Sequence, residues 1–345
     1  MKKSLRKGVT LLALGCIIAN IWVLFLTDWA RELKSWEARF DVEVEEEVEQ
    51  STYDTTVTGK PTTSQVIQAI HPYSKQFIYV SPGCESVHPP KGNVFLLILV
   101  ACRPSEINDR SLIRKTWGGV KVHKGKPILV RFLIASQKTL EWSLMKEIDE
   151  YGDIIQGDFE DSYKNMTLKV LMGLRWAGIM CPNATYVMNL DSDMFVNVFN
   201  LVSLLENSPR KKFAIGFVRK NAKPFRRKNI KWHTPVEMYP NNTYPPYLNG
   251  PAYVMSGDLP GHIFDQSAHV RYLPWDDVFI GLVMQRIGVT PVNGAHFEDY
   301  PNLKVTSAVL NAIRIGIATH VAHQNEPNPT LIEIWTNVSK SILSQ

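Results

Sequence analysis

Residues Val94 to Ala101 read VFLLILVA, an apolar run with no polar residue to give it a solvent-facing side. A strand of that kind must be covered on both faces, as happens in a parallel sheet sandwiched between helices. Ile128 to Ala135 (ILVRFLIA) is a second such run, interrupted only by Arg131. Asp153–Ile155 predicts a short third strand, and Thr185 to Leu190 (TYVMNL) a fourth that closes at Asp191. Helical spacing fills the gaps: Asp109 to Trp117, Thr139 to Tyr151, and Tyr163 to Ala177, where Lys169 and Arg175 break the apolar stripe. Strands alternating with helices predict an α/β domain on a central, mostly parallel sheet. Ligands of such sheets collect beyond the carboxyl ends of the strands, so the chemistry is expected just after Leu190.

The beginning of the chain reads differently. Lys2, Lys3, Arg6 and Lys7 precede Val9 to Leu26, a stretch of 18 residues with no charge, closed by Asp28. At about 1.5 Å per residue this just spans a hydrocarbon core. The basic flank predicts a cytoplasmic tail over residues 1–8, a signal-anchor over 9–26, and everything later across the membrane. A cleaved signal peptide competes, but its apolar region is usually shorter and no small-x-small cleavage site follows. Residues 27–90 read as a stem: six acidic residues crowd between Asp41 and Glu49, and Thr, Ser, Pro and Gly dominate to Pro61. Like charges and low apolar density disfavour a packed core there. Residues 91–345 are expected to form the globular domain. The net charge of +5, partly in the first seven residues, is too small and dispersed to argue for nucleic acid. Beyond a membrane, disulfides persist. Cys84, Cys102 and Cys181 then allow one bridge and one free thiol, and no Cys/His spacing suggests zinc. Sequons stand at Asn165, Asn183, Asn241 and Asn337.

In YVMNLDSDMFVN, Asp191 and Asp193 are two apart and point the same way from an extended segment. Paired carboxylates at a strand end suit Mg²⁺ or Mn²⁺ with diphosphate oxygens. Such a cation would stabilise a diphosphate leaving group. Asp-x-Asp is common on surfaces; the apolar strand before it and Phe195-Val196-Asn197 after it raise its value. A calcium loop of the EF-hand type fails, because its sixth position would be Val196 rather than glycine. An aspartyl-nucleophile phosphatase also begins this way, but it would cleave phosphate monoesters without a sugar acceptor. A second acidic pair, Asp276-Asp277 in LPWDDVFIG, offers a general base for an acceptor hydroxyl. On spacing alone, acids decorating a helix N-terminus explain it better. Arg219 to Lys231 holds seven Lys or Arg, which would meet an acidic acceptor or a membrane surface; such runs are more often solvated loops.

Five blocks then occur in a fixed order. They are Arg110-Ser-Leu-Ile-Arg114-Lys-Thr-Trp117; Gly157-Asp158-Phe-Glu-Asp161-Ser-Tyr163-Lys-Asn165-Met-Thr167-Leu-Lys169; Tyr186 to Asn197; Tyr244-Pro-Pro-Tyr247-Leu-Asn-Gly250-Pro-Ala-Tyr253-Val-Met-Ser256; and Asp276-Asp277-Val278 with Gly281. Together they resemble the β1,3-glycosyltransferase family, glycosyltransferase family 31, from about Val94 to Trp335. The resemblance implies a GT-A-type fold, an inverting single displacement and a UDP-sugar donor. UDP-galactose leads, with N-acetylglucosamine or N-acetylgalactosamine transfer as alternatives. It implies a glycan acceptor on glycoprotein, glycolipid or proteoglycan, a type II Golgi membrane layout with a lumenal catalytic domain, and self- or hetero-assembly.

Residue by residue, the resemblance gives Asp191 and Asp193 to Mn²⁺ (or Mg²⁺) and the diphosphate, with Ser192 on the nucleotide side. It makes Asp277 the base and Asp276 its lesser neighbour, against the spacing-only preference. Arg110 and Arg114 would serve the nucleotide, weighed against a solvated helix face. Asp158 and Lys169 would line the donor pocket, weighed against a structural ion pair. A third metal contact would come from His320 or His323: upstream apolar spacing favours His320, the distance to Trp335 favours His323, and either is equally a satisfied imidazole. Trp232, Tyr244 and Tyr247 would stack on acceptor sugars or pack in the core. Cys84 and Cys181 stand at family cysteine positions and are expected to bridge, leaving Cys102 free. Leu248 and Val283 replace family cysteines, none occurs near Leu310, Asn189 stands where many members carry Lys, and Ala252 replaces a Gly. A catalytically silent, glycan-binding member is the reading of another class; the retained carboxylates argue against it.

Overall fold

The structure, a computed structural model, describes residues 77–86, 93–137, 141–298, 313–320 and 329–343. These lie within one contact unit, Thr63–Gln345; the other unit, Met1–Thr62, is outside the described residues. The expected tail, anchor 9–26 and most of the stem are therefore outside them, as are His323 and the region of Leu310. Among the described residues no helix is long and apolar enough to cross a membrane.

The central strands are β1 (Phe77–Tyr79), β2 (Leu96–Ala101), β3 (Val122–His123), β4 (Lys126–Ser136), β5 (Ile154–Glu160) and β6 (Tyr186–Asp191). Then come β7 (Met194–Val196), β8 (Ala214–Arg219), β9 (Tyr247–Ser256), β10 (Val292–Asn293), β11 (Phe297–Glu298) and β12 (Ala318–His320). Helices are α1 (Ile107–Lys115), α2 (Glu141–Tyr151), α3 (Met166–Met180), α4 (Val198–Glu206), α5 (Leu259–Ser267), α6 (Asp276–Arg286) and α7 (Pro329–Leu343).

The main sheet runs β1-β5-β4-β2-β6-β9-β8-β10, with β3 against β4. Strands β5, β4, β2 and β6 are parallel, and β9 is antiparallel to both its neighbours. Every residue of β2 is buried, as its apolar run requires. Leu97 and Leu99 join one core layer, and Leu96, Ile98 and Val100 the other, so the strand is packed on both faces. From β2 the chain steps outward through β4 to β5, then returns to place β6 on the other side of β2. That reversal opens a crevice at the carboxyl ends of β2 and β6, where Ala101 pairs with Asp191. The α/β class and the mixed, mostly parallel sheet are those expected.

Two elements differ from expectation. β5 continues four residues past Ile155's neighbour Gln156, because its alternating inward residues carry on to Phe159 while Asp158 and Glu160 face solvent. β1 pairs antiparallel with β5, and Cys84 bridges to Cys181, so the globular domain already includes residues expected in the stem. The three-residue strand is too short to register as periodicity. The bridge closes a span of 97 residues, for which chain entropy gives about 4–5 kcal/mol. Cys102 is free and buried, as expected.

One glycine seats the helix that carries the second acidic pair. A Cβ at Gly281 would collide with the Cβ of Tyr247, so α6 lies directly on β9 only because residue 281 has no side chain. Overpacking of this kind costs about 1–3 kcal/mol. Gly281→Ala should lower the thermal midpoint and depress turnover more than donor binding, since it displaces the N-terminus of α6. Thermal denaturation with nucleotide-binding titration checks this; an unchanged midpoint would show that the seat is slack.

Candidate active site

β6 delivers Asp191 to the crevice, and the chain turns through Ser192 and Asp193 into β7. β7 belongs to a small sheet, β11-β12-β7, in which β12 runs antiparallel and sets His320 opposite Met194. This pairing brings His320 Nε2 to 2.8 Å from Asp193 Oδ2. Burial pushes the Asp191 carboxyl up to about 7, reinforced by Asp193 and Asp277, while Lys169 and His320 oppose the rise. Ser192, expected on the nucleotide side, is tied to the loop after β2. Its hydroxyl donates to Glu106 Oε2 at 2.8 Å and its N–H to the Ala101 carbonyl at 3.1 Å, which ties the Asp191 turn to the loop after β2.

The second acidic pair begins α6. Asp277 Oδ1 accepts the Val278 N–H at 2.7 Å, and the Gly250 N–H of β9 also supports the carboxylate. Burial nevertheless pushes Asp277 up to about 6. Asp276 goes well above the ordinary range through burial, then the charge of Asp277, then that of Asp191. The acids start a helix, as the macrodipole favours, and their charges act on Asp191. Asn189 and Tyr253 are cross-strand partners on β6 and β9, buried on the same layer. Both amide atoms of Asn189 and the Tyr253 hydroxyl lack a hydrogen-bond partner among the described residues. Buried polar atoms left open beside carboxylates mark a place for water or a ligand atom. Tyr253 was not singled out by sequence; its only signal is its place in the fourth block.

A cavity of about 880 Å³ opens at the ends of β4 and β5, within the size range of small-molecule sites, and two of its lining residues, Lys169 and Tyr163, interact with the charge of Asp191. Asp158 lines it and is exposed, as the donor-pocket reading expects. Lys169 also lines it, but its ammonium is committed to Asp161 Oδ1 and the Cys102 carbonyl, both at 2.6 Å. The ion pair anticipated for Lys169 therefore exists, with Asp161. Arg110 and Arg114 do not line the cavity. Arg110 is fully buried, gripping Glu147 at 2.9 and 2.6 Å and the carbonyls of Arg103 and Pro104. Arg114 binds Asp153 through two nitrogens at 2.8 and 2.7 Å, and Glu147 at 2.7 Å, with Tyr151's ring 4.0 Å away. The α1 face that carries both arginines is turned onto acids of α2 and the residue before β5, so it is not a solvated helix face.

Of the expected stacking residues, Tyr244 is packed, its hydroxyl donating to Thr234 Oγ1 at 3.0 Å. Tyr247 stays partly open beside Asp277, and its hydroxyl is pushed up to about 12 by burial and that charge. Trp232 is exposed, and its indole N–H donates to Tyr163 Oη at 2.7 Å. Tyr163 lines the cavity and was missed by the sequence reading, although it sits in the second block.

The sequence profile of the Galactosyltransferase family matches residues 108–295. Human and mouse β-1,3-galactosyltransferase 1 are each 38% identical to the chain over 276 residues, covering 78% of this chain and 80% of theirs. The chain belongs to the galactosyltransferase family. Mouse β-1,3-galactosyltransferase 2 is 34% identical over 287 residues, covering 79% of this chain and 64% of that one. Among solved structures, galactosyltransferase LgtC in complex with donor and acceptor sugar analogues is 11% identical, with a TM-score of 0.40 over 71% of this chain and 95% of that one. As a galactosyltransferase-family member the chain is a hexosyltransferase. The matched stretch contains both acidic pairs; His320 lies beyond it.

Among the described residues no three His, Cys, Asp or Glu side chains are arranged to hold a metal ion. Asp193 and His320 still supply a carboxylate and an imidazole, donors that fit Mn²⁺. A cation there would complete its shell with oxygens carried by the ligand, as phosphate-bound cations do.

The raised carboxyls give this family member a pH signature. Asp277's folded value near 6 exceeds the unfolded value of about 3.9. A raised carboxyl contributes stability that is present below the unfolded value and lost as pH rises through the folded one. Asp277→Asn should therefore gain stability over the parent between about pH 4 and 6 and hold that gain above. Thermal midpoints measured across pH check it; a gain that shrinks with rising pH contradicts the sign.

Proposed function

We propose that this galactosyltransferase-family chain moves a hexose, galactose first among the candidates, from a UDP-sugar to a glycan hydroxyl in β1,3 linkage with inversion. The observation that carries the reading is the approach of Asp276 and Asp277 on α6 to Asp191 on β6, two pairs far apart in sequence and joined through β9. The cavity at the ends of β4 and β5 is large enough for a nucleotide-sugar. A divalent cation held by Asp193, with Asp191 and His320 beside it, would supply electrostatic stabilisation of the diphosphate leaving group.

Asp277 is the base. Backbone N–H groups of Val278 and Gly250 fix its carboxylate. A value near 6 leaves it ionised at neutral pH yet more basic than an ordinary carboxylate, which suits it to take the acceptor hydroxyl proton as the new bond forms. Asp276, raised by burial and by the charges of Asp277 and Asp191, is the lesser neighbour.

The proposed setting is the Golgi lumen, with residues 9–26 as the anchor. The Cys84–Cys181 bridge and the exposed sequon residues Asn183, Asn241 and Asn337 support that orientation. Asn165 donates its side-chain N–H to the Glu160 carbonyl at 2.8 Å and is half-buried.

Two results test the chemistry. Asp277→Asn should retain UDP binding and lose transfer by about 10²-fold or more, whereas Asp193→Ala should lose metal-dependent UDP binding itself. Near-normal transfer by the first variant removes Asp277 from the base role; unaltered Mn²⁺-dependent binding by the second removes Asp193 from the metal. Assays run with UDP-Gal, UDP-GlcNAc and UDP-GalNAc separately identify the hexose. Mass spectrometry of protein from a eukaryotic secretory host should find glycan on at least one of Asn183, Asn241 and Asn337 and none on Asn165. A wholly unmodified protein contradicts the lumenal orientation.

A further inference from the structure

Beside the acids runs a wall of exposed aromatic rings. Tyr163, Trp232 and Phe225 are 42%, 45% and 47% exposed, and together they make a contiguous exposed patch rather than isolated surface rings. They are continuous: Phe225 lies 5.8 Å from Trp232, Trp232 is hydrogen-bonded to Tyr163, and Tyr163 lies 6.1 Å from Trp275, the residue before Asp276. The Tyr163 hydroxyl feels the charges of Asp276, Asp277 and Asp191, so the wall ends at the reacting centre. Rings of this kind take the C–H faces of sugars.

Cations border the wall on two sides. Lys231 Nζ sits 3.6 Å from the Tyr163 ring centre and 5.8 Å from that of Trp232. On the other side, Arg219 holds Asn249 Oδ1 at 3.1 Å and acts on Asp277 and Tyr247. Between them the chain carries no Asp or Glu. Arg226 is spent on the carbonyls of Thr234, Tyr239 and Asn241, where it builds the loop. Arg219 and Lys231 are exposed and form no ion pair among the described residues. A neutral acceptor needs neither. An anionic one must approach Asp191, Asp193, Asp276 and Asp277, and cations at the rim offset that repulsion.

We propose that the acceptor is an acidic glycan, stacked on Trp232 and Phe225, with its carboxylate or sulfate group met by Lys231, which rests on the Tyr163 ring, and flanked by Arg219. This rests on the transferase reading above and names the substrate class for the same site.

The test compares neutral acceptor oligosaccharides with matched ones bearing a uronic acid or a sulfate ester, using the full-length enzyme and the active UDP-hexose. The wild type should favour the acidic acceptors by about tenfold or more in kcat/KM, mainly through KM, and the preference should shrink with added salt. Lys231→Gln should bring the acidic-to-neutral ratio close to one, and Lys231→Arg should restore it. The ratio is taken within each variant, so loss of folded protein cancels. The uronic acid and sulfate arms tell which anion is read. Equal or better use of neutral acceptors overturns the inference alone. So does an unchanged ratio in Lys231→Gln accompanied by a raised donor KM, which assigns the lysine to the diphosphate. Lys231-dependent binding to vesicles of phosphatidylserine and phosphatidylcholine without acceptor preference overturns it in favour of a membrane surface. No transfer from any UDP-hexose to any acceptor overturns both this inference and the transferase reading.

Discussion

Carboxylates partly withdrawn from water repel one another, and this chain gathers three of them, Asp191, Asp276 and Asp277, where β6, β9 and α6 meet. Each is raised above its ordinary range, so each ionised form opposes folding. The surrounding structure is what holds such a site together. β2 and β6 are buried along nearly their whole length and cannot slip without exposing a core layer. The Val278 and Gly250 N–H groups fix Asp277, and a missing side chain at residue 281 lets α6 lie close enough to present it. Stability is given up at the strand ends and recovered along the buried length of the strands, the usual relation between an active site and its scaffold.

The arginine block shows how a family pattern reaches the site indirectly. Arg110 and Arg114 lock α1 to α2 and β5 through Glu147 and Asp153. Breaking such a network by removing one partner costs about 3–5 kcal/mol, because a charge is left buried and unpaired. Arg110 also holds the carbonyls of Arg103 and Pro104, and Glu106 in the same loop receives both the Arg103 N–H and the Ser192 hydroxyl. The chain of contacts therefore runs from the helix, through the loop that rims the cavity, to the turn between Asp191 and Asp193. A guanidinium chosen for phosphate geometry would look the same in sequence; only the acids it meets in space separate the two.

What was legible in the sequence was what depends on near neighbours. Apolar runs, unbroken in β2 and interrupted only by Arg131 in β4 and Asn189 in β6, located those strands, and an apolar strand ending in Asp-x-Asp located the crevice. What depends on long-range pairing was hidden. β9 carries Asn249, Gly250 and Pro251 and has no clean alternation, yet it joins β6 to β8 and brings α6 to Asp191. The choice of His320 beside Asp193 follows from the register of β12 on β7, which no count along the chain contains. Tyr163 was hidden for another reason: it precedes a helix in a short 3-10 turn, so its exposure reflects the turn and not a period.

The departure at Asn189 bears on how the acids divide their roles. Asn189 is buried on β6 opposite Tyr253, in a position where many family members carry Lys, and neither side chain has a hydrogen-bond partner among the described residues. A lysine there would neutralise one carboxylate outright. An amide and a phenol cannot, so the carboxylates depend on backbone donors, on Arg219 and on the proposed cation instead. The burden falls on Asp276 before Asp277, because Asp276 feels both Asp277 and Asp191 while Asp277 is supported by the Gly250 and Val278 N–H groups and by Arg219. Two adjacent acids thus differ in their support, and Asp277 is the one whose backbone bonds aim it.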